Sequence, residues 1–387
     1  KIVNGQNYIN TGGNPWGGIS VDTKRGILFI TTGNPSYYFD GTKRPGLNKY
    51  SNSIIAFDLN QKKIIWDFQE VFHDIWNLDI PAAPILTSVM LENKKKLDVV
   101  VAVTKLGNTF ILDRLTGESL YDLNYQLVPK SKSSISFTSK FQINQKIPEP
   151  FSKSIFKKSD ISNRNKISEN YILGLIEDKK LGFFNSFEIG KKNILYNFHG
   201  GAEWPGASID HQNNIMYVTS NEIAWIGELK KSDKFKGKLE SKFKRLKDKE
   251  GYPGTLPPWG KITAINLNNG KILWQRPFGD YEELNFVDSN GNKIETGTEN
   301  FGGVTGSRGG LLFATGTLDH KFYVYNSSNG EKLFETKLPF IGSAPPTIYE
   351  VNGKQYILVV ATGSTSLKMG YPEKLEFGNK LIAFSIH

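Results

Sequence analysis

The sequence predicts an all-β chain built as a β-propeller, and two observations carry that prediction: a short motif recurs at near-regular intervals, and strand-like pieces bounded by turn residues fill the gaps. The motif reads small or apolar residue, one residue, Asp or Asn, three residues, Gly, three residues, aromatic. Its first copy is Ala56, Asp58, Lys62 in the glycine slot and Trp66; the second is Ile111, Asp113, Gly117 and Tyr121. The third is Ala264, Asn266, Gly270 and Trp274, the fourth Val324, Asn326, Gly330 and Phe334, and a fifth is cut off at Ala383-Phe384-Ser385. Successive Asp, Asn or Ser positions lie 55, 153, 60 and 59 residues apart, so the unit is near sixty residues and the second interval holds an insertion of roughly ninety.

Each stretch between copies follows the same logic. Gly18-Ile19-Ser20-Val21-Asp22 then Ile27-Leu28-Phe29-Ile30, and Ala207-Ser208-Ile209-Asp210 then Ile215-Met216-Tyr217-Val218, are short strands separated by turn residues. Four-stranded propeller blades are built from such units. The aromatic closing each motif is expected to pack between neighbouring blades, so Trp66, Tyr121, Trp274 and Phe334 are assigned structural roles. Residues 125–195 are rich in Ser, Lys, Asn and Pro with weak periodicity, which predicts an irregular surface insertion. Residues 230–250 hold ten Lys or Arg against four Asp or Glu, with Phe235, Leu239, Phe243 and Leu246 at helical spacing. They predict a basic amphipathic helix docked by its apolar face, with peripheral contact to an anionic membrane surface as the alternative.

The chain has 387 residues, 38 of them glycine, and no apolar run reaches the ~18 residues needed to span a membrane. A net charge of +10 is concentrated in that basic stretch and no nucleic-acid motif accompanies it, so no nucleic-acid partner is expected. Cysteine is absent, which excludes disulfides and thiolate metal sites. The first residue is Lys1, and no basic segment followed by an apolar one opens the chain; the start reads as an interior cut. His73, His199, His211, His320 and His387 form no closely spaced ligand pair, and no phosphate-binding glycine loop or serine elbow occurs.

The chemistry-bearing stretch is His73-Asp74-Ile75-Trp76-Asn77-Leu78-Asp79, followed by Pro81 and then by Thr104-Lys105-Leu106-Gly107-Asn108. With it go Gly13-Asn14-Pro15-Trp16-Gly17-Gly18, Thr32-Gly33-Asn34-Pro35, Arg44-Pro45-Gly46 and Gly200-Gly201-Ala202-Glu203-Trp204-Pro205-Gly206. Tyr252-Pro253, Pro257-Pro258-Trp259-Gly260 and Thr315-Gly316-Thr317-Leu318-Asp319 complete a series that covers essentially the whole chain. In these motifs and their order the chain resembles the second half of a pyrroloquinoline quinone (PQQ)-dependent dehydrogenase, of the glucose, quinate and sorbose dehydrogenase branch. The resemblance implies an eight-bladed propeller of which this chain supplies about four to five blades. The missing N-terminal half, or a partner chain, would complete it, because a half propeller exposes unpaired sheet edges.

The resemblance also implies roles. Trp16 stands where the family stacks the quinone, and its flat ring suits a planar tricyclic cofactor. Asn34 matches a metal ligand whose amide oxygen is a hard donor for calcium, magnesium or a lanthanide. Lys105 matches the cation that contacts the quinone oxygens. Asn221 and Phe301 match positions near the cofactor. Taken alone, Trp16 would be core, Asn34 a turn residue and Lys105 a solvated lysine. Asn77 departs from the pattern, since the family's general base is an Asp there and a carboxamide has no useful basicity at physiological pH. Asp79, two residues on and on the same side if this were a strand, is a metal-ligand candidate and a candidate substitute base.

Together these imply oxidation of a sugar, polyol or alcohol in the bacterial periplasm, with electrons passed to ubiquinone or a cytochrome. The alternative is a non-catalytic propeller that binds a partner; Asn77 and the missing blades favour it, and the retained Trp16, Asn34 and Lys105 oppose it.

Overall fold

The computed structural model describes residues 2–3, 6–7 and 12–385, except 37–38, 132–137, 183, 234–237, 288–289 and 372–374. The chain divides into two compact units, residues 1–201 with 223–256 and residues 202–222 with 257–387. In the first, Ile19–Asp22, Ile27–Thr31, Ser53–Asp58 and Lys63–Gln69 pair as a four-stranded antiparallel meander. Ile85–Met90, Lys96–Val103 and Thr109–Asp113 form a three-stranded one. The second unit holds two four-stranded meanders, from Ala207–Asp210 to Ile272–Pro277 and from Val304–Gly306 to Lys332–Lys337. A three-stranded meander follows, from Thr347–Val351 to Lys380–Ser385. These five sheets, among the described residues, are the blades that the repeats predict.

The motif explains itself in the blade turns. The Asp58 carboxylate accepts from the Asn60 and Gln61 amides, each at 2.8 Å, and Asp113 does the same for Leu115 and Thr116 at 2.7 and 2.9 Å. Asn266 and Asn326 each take one amide two residues on, at 2.9 Å. This local side-chain bonding is why Asp and Asn hold that slot. Four residues after the acceptor the backbone turns left-handed, at φ +75° for Gly117, +70° for Gly270 and Gly330, and +53° for Lys62. Glycine adopts that conformation freely, whereas Lys62 bears a cost.

The closing aromatics behave as predicted in two of four blades. A Cβ on Gly117 would lie 2.6 Å from the Trp66 ring, and the Trp66 indole N–H donates to the Arg114 carbonyl at 3.2 Å, so Trp66 seals the first blade to the second. Trp274 repeats this against Gly330, where a Cβ would again lie 2.6 Å from the ring, and donates to the Ser327 carbonyl at 3.1 Å. Tyr121 is only partly buried, and Phe334 is 49% exposed.

Two insertion expectations need correction. Trp225–Lys231 and Leu239–Arg245 are paired antiparallel strands, so no basic helix spans 230–250; Phe235 lies outside the described residues. Apolar residues four apart, such as Leu239 and Phe243, fit a two-residue strand period as well as a helical one, and the cross-strand pairs Glu228 with Lys242 and Lys230 with Glu240 favour the hairpin. Residues 125–195 are also not irregular throughout. They contain the helix Lys166–Ile176, capped by Asn165, which accepts from the Ser168 amide at 2.8 Å.

The two insertions in fact fold together. Lys192–Leu195 pairs with Trp225–Lys231, and Phe156, Ile161, Ile172, Ile176, Ile194 and Ile226 form one core. Arg164 and the Ser168 hydroxyl both reach Asp248, at 2.7 and 2.9 Å.

Lys62→Gly is expected to raise stability by about 0.5–1 kcal/mol, the relief of left-handed strain less the entropy glycine loses. Gly117→Ala lowers it by about 3 kcal/mol through strain and the clash with Trp66. Denaturant titration of both variants checks the pair, and a destabilised Lys62→Gly would contradict it.

Candidate quinone-type redox site

The run from His73 to Asp79 is a loop, so the strand geometry expected of Asp79 does not hold. The loop is wound around the buried carboxylate of Asp74. One oxygen accepts from the Trp76 amide at 2.6 Å; the other accepts from the Leu78 amide at 2.8 Å and from Asn52 Nδ2 at 2.9 Å. Asn52 also donates to the Leu78 carbonyl at 2.7 Å. Burial raises the Asp74 carboxyl against the pull of these donors. His73 and Asn77 take left-handed backbone, at φ +51° and +67°, which His and Asn tolerate better than most residues. Burial holds the His73 imidazole down to about 4, so it stays neutral, with Nδ1 2.7 Å from the Gly46 carbonyl.

This winding turns Asp79 inward, where it is 5% exposed. Its Oδ2 accepts from the Lys105 ammonium at 2.7 Å, and its Oδ1 accepts from the Asn34 backbone amide. The Lys105 ammonium also donates to the Asn77 carbonyl at 3.3 Å. A Cβ on Gly33 would lie 2.8 Å from both Asp79 Oδ1 and the Trp16 indole nitrogen, so only glycine permits that approach. Trp16, Asn34, Asp79 and Lys105 are therefore brought together, with Asn77 beside them. Trp16 is 48% exposed, leaving ring surface open to a ligand.

The Asn77 side chain donates to the Phe198 carbonyl at 3.2 Å, and a Cβ on Gly201 would lie 2.0 Å from the Lys105 carbonyl oxygen. Residues 198–201 thus line the same site. They place His199 there, whose imidazole is held down to about 3 by burial and then by the charges of Lys105 and Arg245, and is neutral. Asn221 and Phe301 belong to the second unit. Asn221 accepts from the Asn300 amide at 2.8 Å and donates to its carbonyl at 3.0 Å, while Phe301 is buried in a core with Ile341, Leu367 and Tyr371.

Sequence reasoning passed over Glu70, which is 1% exposed. Its Oε1 accepts from the Thr104 hydroxyl at 2.8 Å and from Asn108 Nδ2 at 2.9 Å, while Oε2 is buried without a partner. Burial pushes the carboxyl up to about 8. The available signal was a carboxylate directly after the strand Lys63–Gln69, which carries Trp66 and Phe68.

The residues suit a planar anionic quinone: an open indole face beside a buried ammonium. They suit a metal only in part. Asn34 donates its Nδ2 to the Pro35 carbonyl at 3.1 Å, which leaves its amide oxygen unengaged, but both Asp79 oxygens are already taken. No group of three His, Cys, Asp or Glu side chains is arranged for a metal among the described residues, and a calcium ion needs about six to eight oxygens.

Comparison with known proteins bears on the chain as a whole. The family model described as "PQQ: Glucose/ethanol/alcohol dehydrogenase, beta-propeller domain" matches residues 2–357. Quinoprotein glucose dehydrogenase of Escherichia coli is 27% identical over 92% of this chain and 48% of its own length. Quinate/shikimate dehydrogenase (quinone) of Acinetobacter baylyi is 25% identical over 99% of this chain and 50% of its own. Among solved structures, europium-containing methanol dehydrogenase aligns with a TM-score of 0.67 at 19% identity, over 97% of this chain and 60% of that one. Quinohemoprotein alcohol dehydrogenase of Comamonas testosteroni aligns at 0.60 and 20% identity, over 90% of this chain and 45% of that one. The chain spans about half the length of the curated relatives it matches. It belongs to the PQQ β-propeller dehydrogenase family.

The raised Glu70 and Asp74 carboxyls set a pH dependence. The folded state holds these protons more tightly than the unfolded chain, so stability falls as pH rises through the window from about 4.5 to about 8 for Glu70. Melting temperature is expected to drop across that window, and Glu70→Gln to flatten the drop, leaving the share from Asp74. An unchanged slope in Glu70→Gln would assign the effect elsewhere.

Proposed function

We propose that this chain forms the quinone-facing part of a periplasmic PQQ-dependent dehydrogenase oxidising a sugar, polyol or alcohol. The observation that supports the reading best is the convergence of Trp16, Lys105, Asp79 and Asn34 around Gly33. A buried cation 2.7 Å from one carboxylate is poised to share its charge with an incoming anionic ring system. When bound, PQQ supplies a two-electron acceptor that takes hydride from a C–H bond next to a hydroxyl.

The chain's own residues then have separable tasks. Trp16 offers its open face as a stacking platform, worth about 0.5–1.5 kcal/mol beyond the area it buries. Lys105 stabilises negative charge on the quinone oxygens, and Asp79 holds the ammonium in place until then. Asn34 would give its amide oxygen to calcium, magnesium or a lanthanide, with Asp79 joining only by releasing one of its present donors. Asn221 and Phe301 are proposed as cofactor-proximal residues on the family resemblance alone.

Removal of the hydroxyl proton is the step this site serves poorly. Asn77 is neutral, and its amide is committed to the Phe198 carbonyl. The electron acceptor for the reduced cofactor is proposed to be ubiquinone or a cytochrome, and the remaining blades to come from the rest of the protein or a partner chain. No helix among the described residues is long and apolar enough to cross a membrane, and the basic hairpin is the proposed place of any peripheral membrane contact.

A second reading, a non-catalytic propeller that binds a partner, is favoured by Asn77. Titration with PQQ and calcium, magnesium or a lanthanide separates the two. The redox reading expects a bound-quinone absorption band that weakens in Trp16→Ala and Lys105→Ala. Folded protein showing no band with any of these metals supports the scaffold instead. Asn77→Asp in cofactor-loaded protein is expected to raise kcat at least about a hundredfold, the lower range for a placed general base, with some stability lost as the carboxylate faces the Phe198 carbonyl. No gain would show that position 77 is not the limiting defect.

A further inference from the structure

Lys105 sits on a tight turn, and the turn is tied down at both ends by one side chain. The Thr104 amide donates to the Asn108 carbonyl at 3.1 Å, and the Gly107 amide donates to the Thr104 carbonyl at 3.0 Å, which closes the turn on itself. Outside it, the Phe151 amide donates to the Gly107 carbonyl at 2.9 Å. Beneath it lies Glu70, whose Oε1 receives the Thr104 hydroxyl and the Asn108 amide, the residues that open and close the turn.

Glu70 also touches the other arm of the site. Its backbone amide donates to the Asn52 carbonyl at 2.9 Å, and Asn52 holds the Asp74 carboxylate and the Leu78 carbonyl that shape the loop leading to Asp79. One residue therefore connects the turn that carries the ammonium with the loop that carries its counterion.

A carboxyl group is a costly means to that end. Oε2 is buried with no partner, so an ionised Glu70 would leave a bare charged oxygen away from water. A hydrophobic residue would fill the space without that penalty, but would leave the Thr104 hydroxyl and the Asn108 amide without this acceptor. The acceptor at Oε1 is thus the part of Glu70 that the turn requires.

We infer that Glu70 is a positioning residue for Lys105: through Thr104 and Asn108 it sets the turn that directs the ammonium to Asp79. The inference takes from the proposed function only the idea that Lys105 meets the cofactor. Its test does not depend on a bound cofactor.

Competitive acylation of surface amines, read by mass spectrometry on the whole chain, measures how well Lys105 is held, with exposed Lys49 as the internal reference. In the wild type Lys105 should be strongly protected. Glu70→Gln keeps an acceptor oxygen for Thr104 and Asn108 and should stay protected, while Glu70→Leu should label about tenfold faster, equivalent to ~1.4 kcal/mol of lost restraint. If Glu70→Leu does not fold, the double variant Thr104→Val with Asn108→Ala cuts the same ties from the other side and should show the same gain. A folded Glu70→Leu or double variant with wild-type protection overturns the inference, and so does a Glu70→Gln that labels as fast as Glu70→Leu. A PQQ titration run beside it should weaken in Glu70→Leu and recover in Glu70→Gln. Wild-type protein that binds no quinone tells against the proposed function, while the labelling rates still decide the positioning.

Discussion

The site depends on the Asp79 carboxylate, which joins two segments far apart in the chain. It accepts from the Lys105 ammonium on one oxygen and from the Asn34 backbone amide on the other, and both Asp79 and Lys105 are buried. A buried ion pair is a poor source of net stability, because desolvation offsets most of the attraction. Its value is geometric: removing either partner leaves an uncompensated charge, so the two groups are held to one arrangement. Trp16 reaches the same point because Gly33 leaves room for the indole and the carboxylate together.

A second buried carboxylate makes the first possible. Asp74 gathers the Trp76 and Leu78 amides and the Asn52 side chain, and the loop must then run through left-handed backbone at Asn77. This gives Asn77 a structural task besides its missing basicity: it adopts that conformation readily and binds the Phe198 carbonyl. The left-handed turn at residue 77 is kept in this way, and with it the course of the loop that carries Asp79 to Lys105.

The blade-level rules were legible because they are local. An Asp or Asn bonding its own turn and a slot at positive φ four residues on act within half a dozen residues, and they recur at Asp58, Asp113, Asn266 and Asn326. The closing aromatic needs a partner from the next unit, which Trp66 and Trp274 find and the exposed Phe334 does not. The stretch 230–250 misled for a related reason. Apolar residues four apart satisfy two periods at once, and the pairing of Trp225–Lys231 with both Leu239–Arg245 and Lys192–Leu195 decided between them.

By itself the sequence determined the all-β class, the repeat of near sixty residues and the family, because composition, spacing and motif order are properties of a one-dimensional string. Only the tertiary structure decided that Asp79 points at Lys105 from a loop rather than a strand, that Glu70 lies beneath the lysine turn, and that two separate insertions share one core. Those outcomes turn on which buried polar group finds which partner across long stretches of chain. That is settled by the cost of leaving hydrogen-bonding groups unpaired away from water, a quantity that exists only once the chain has packed.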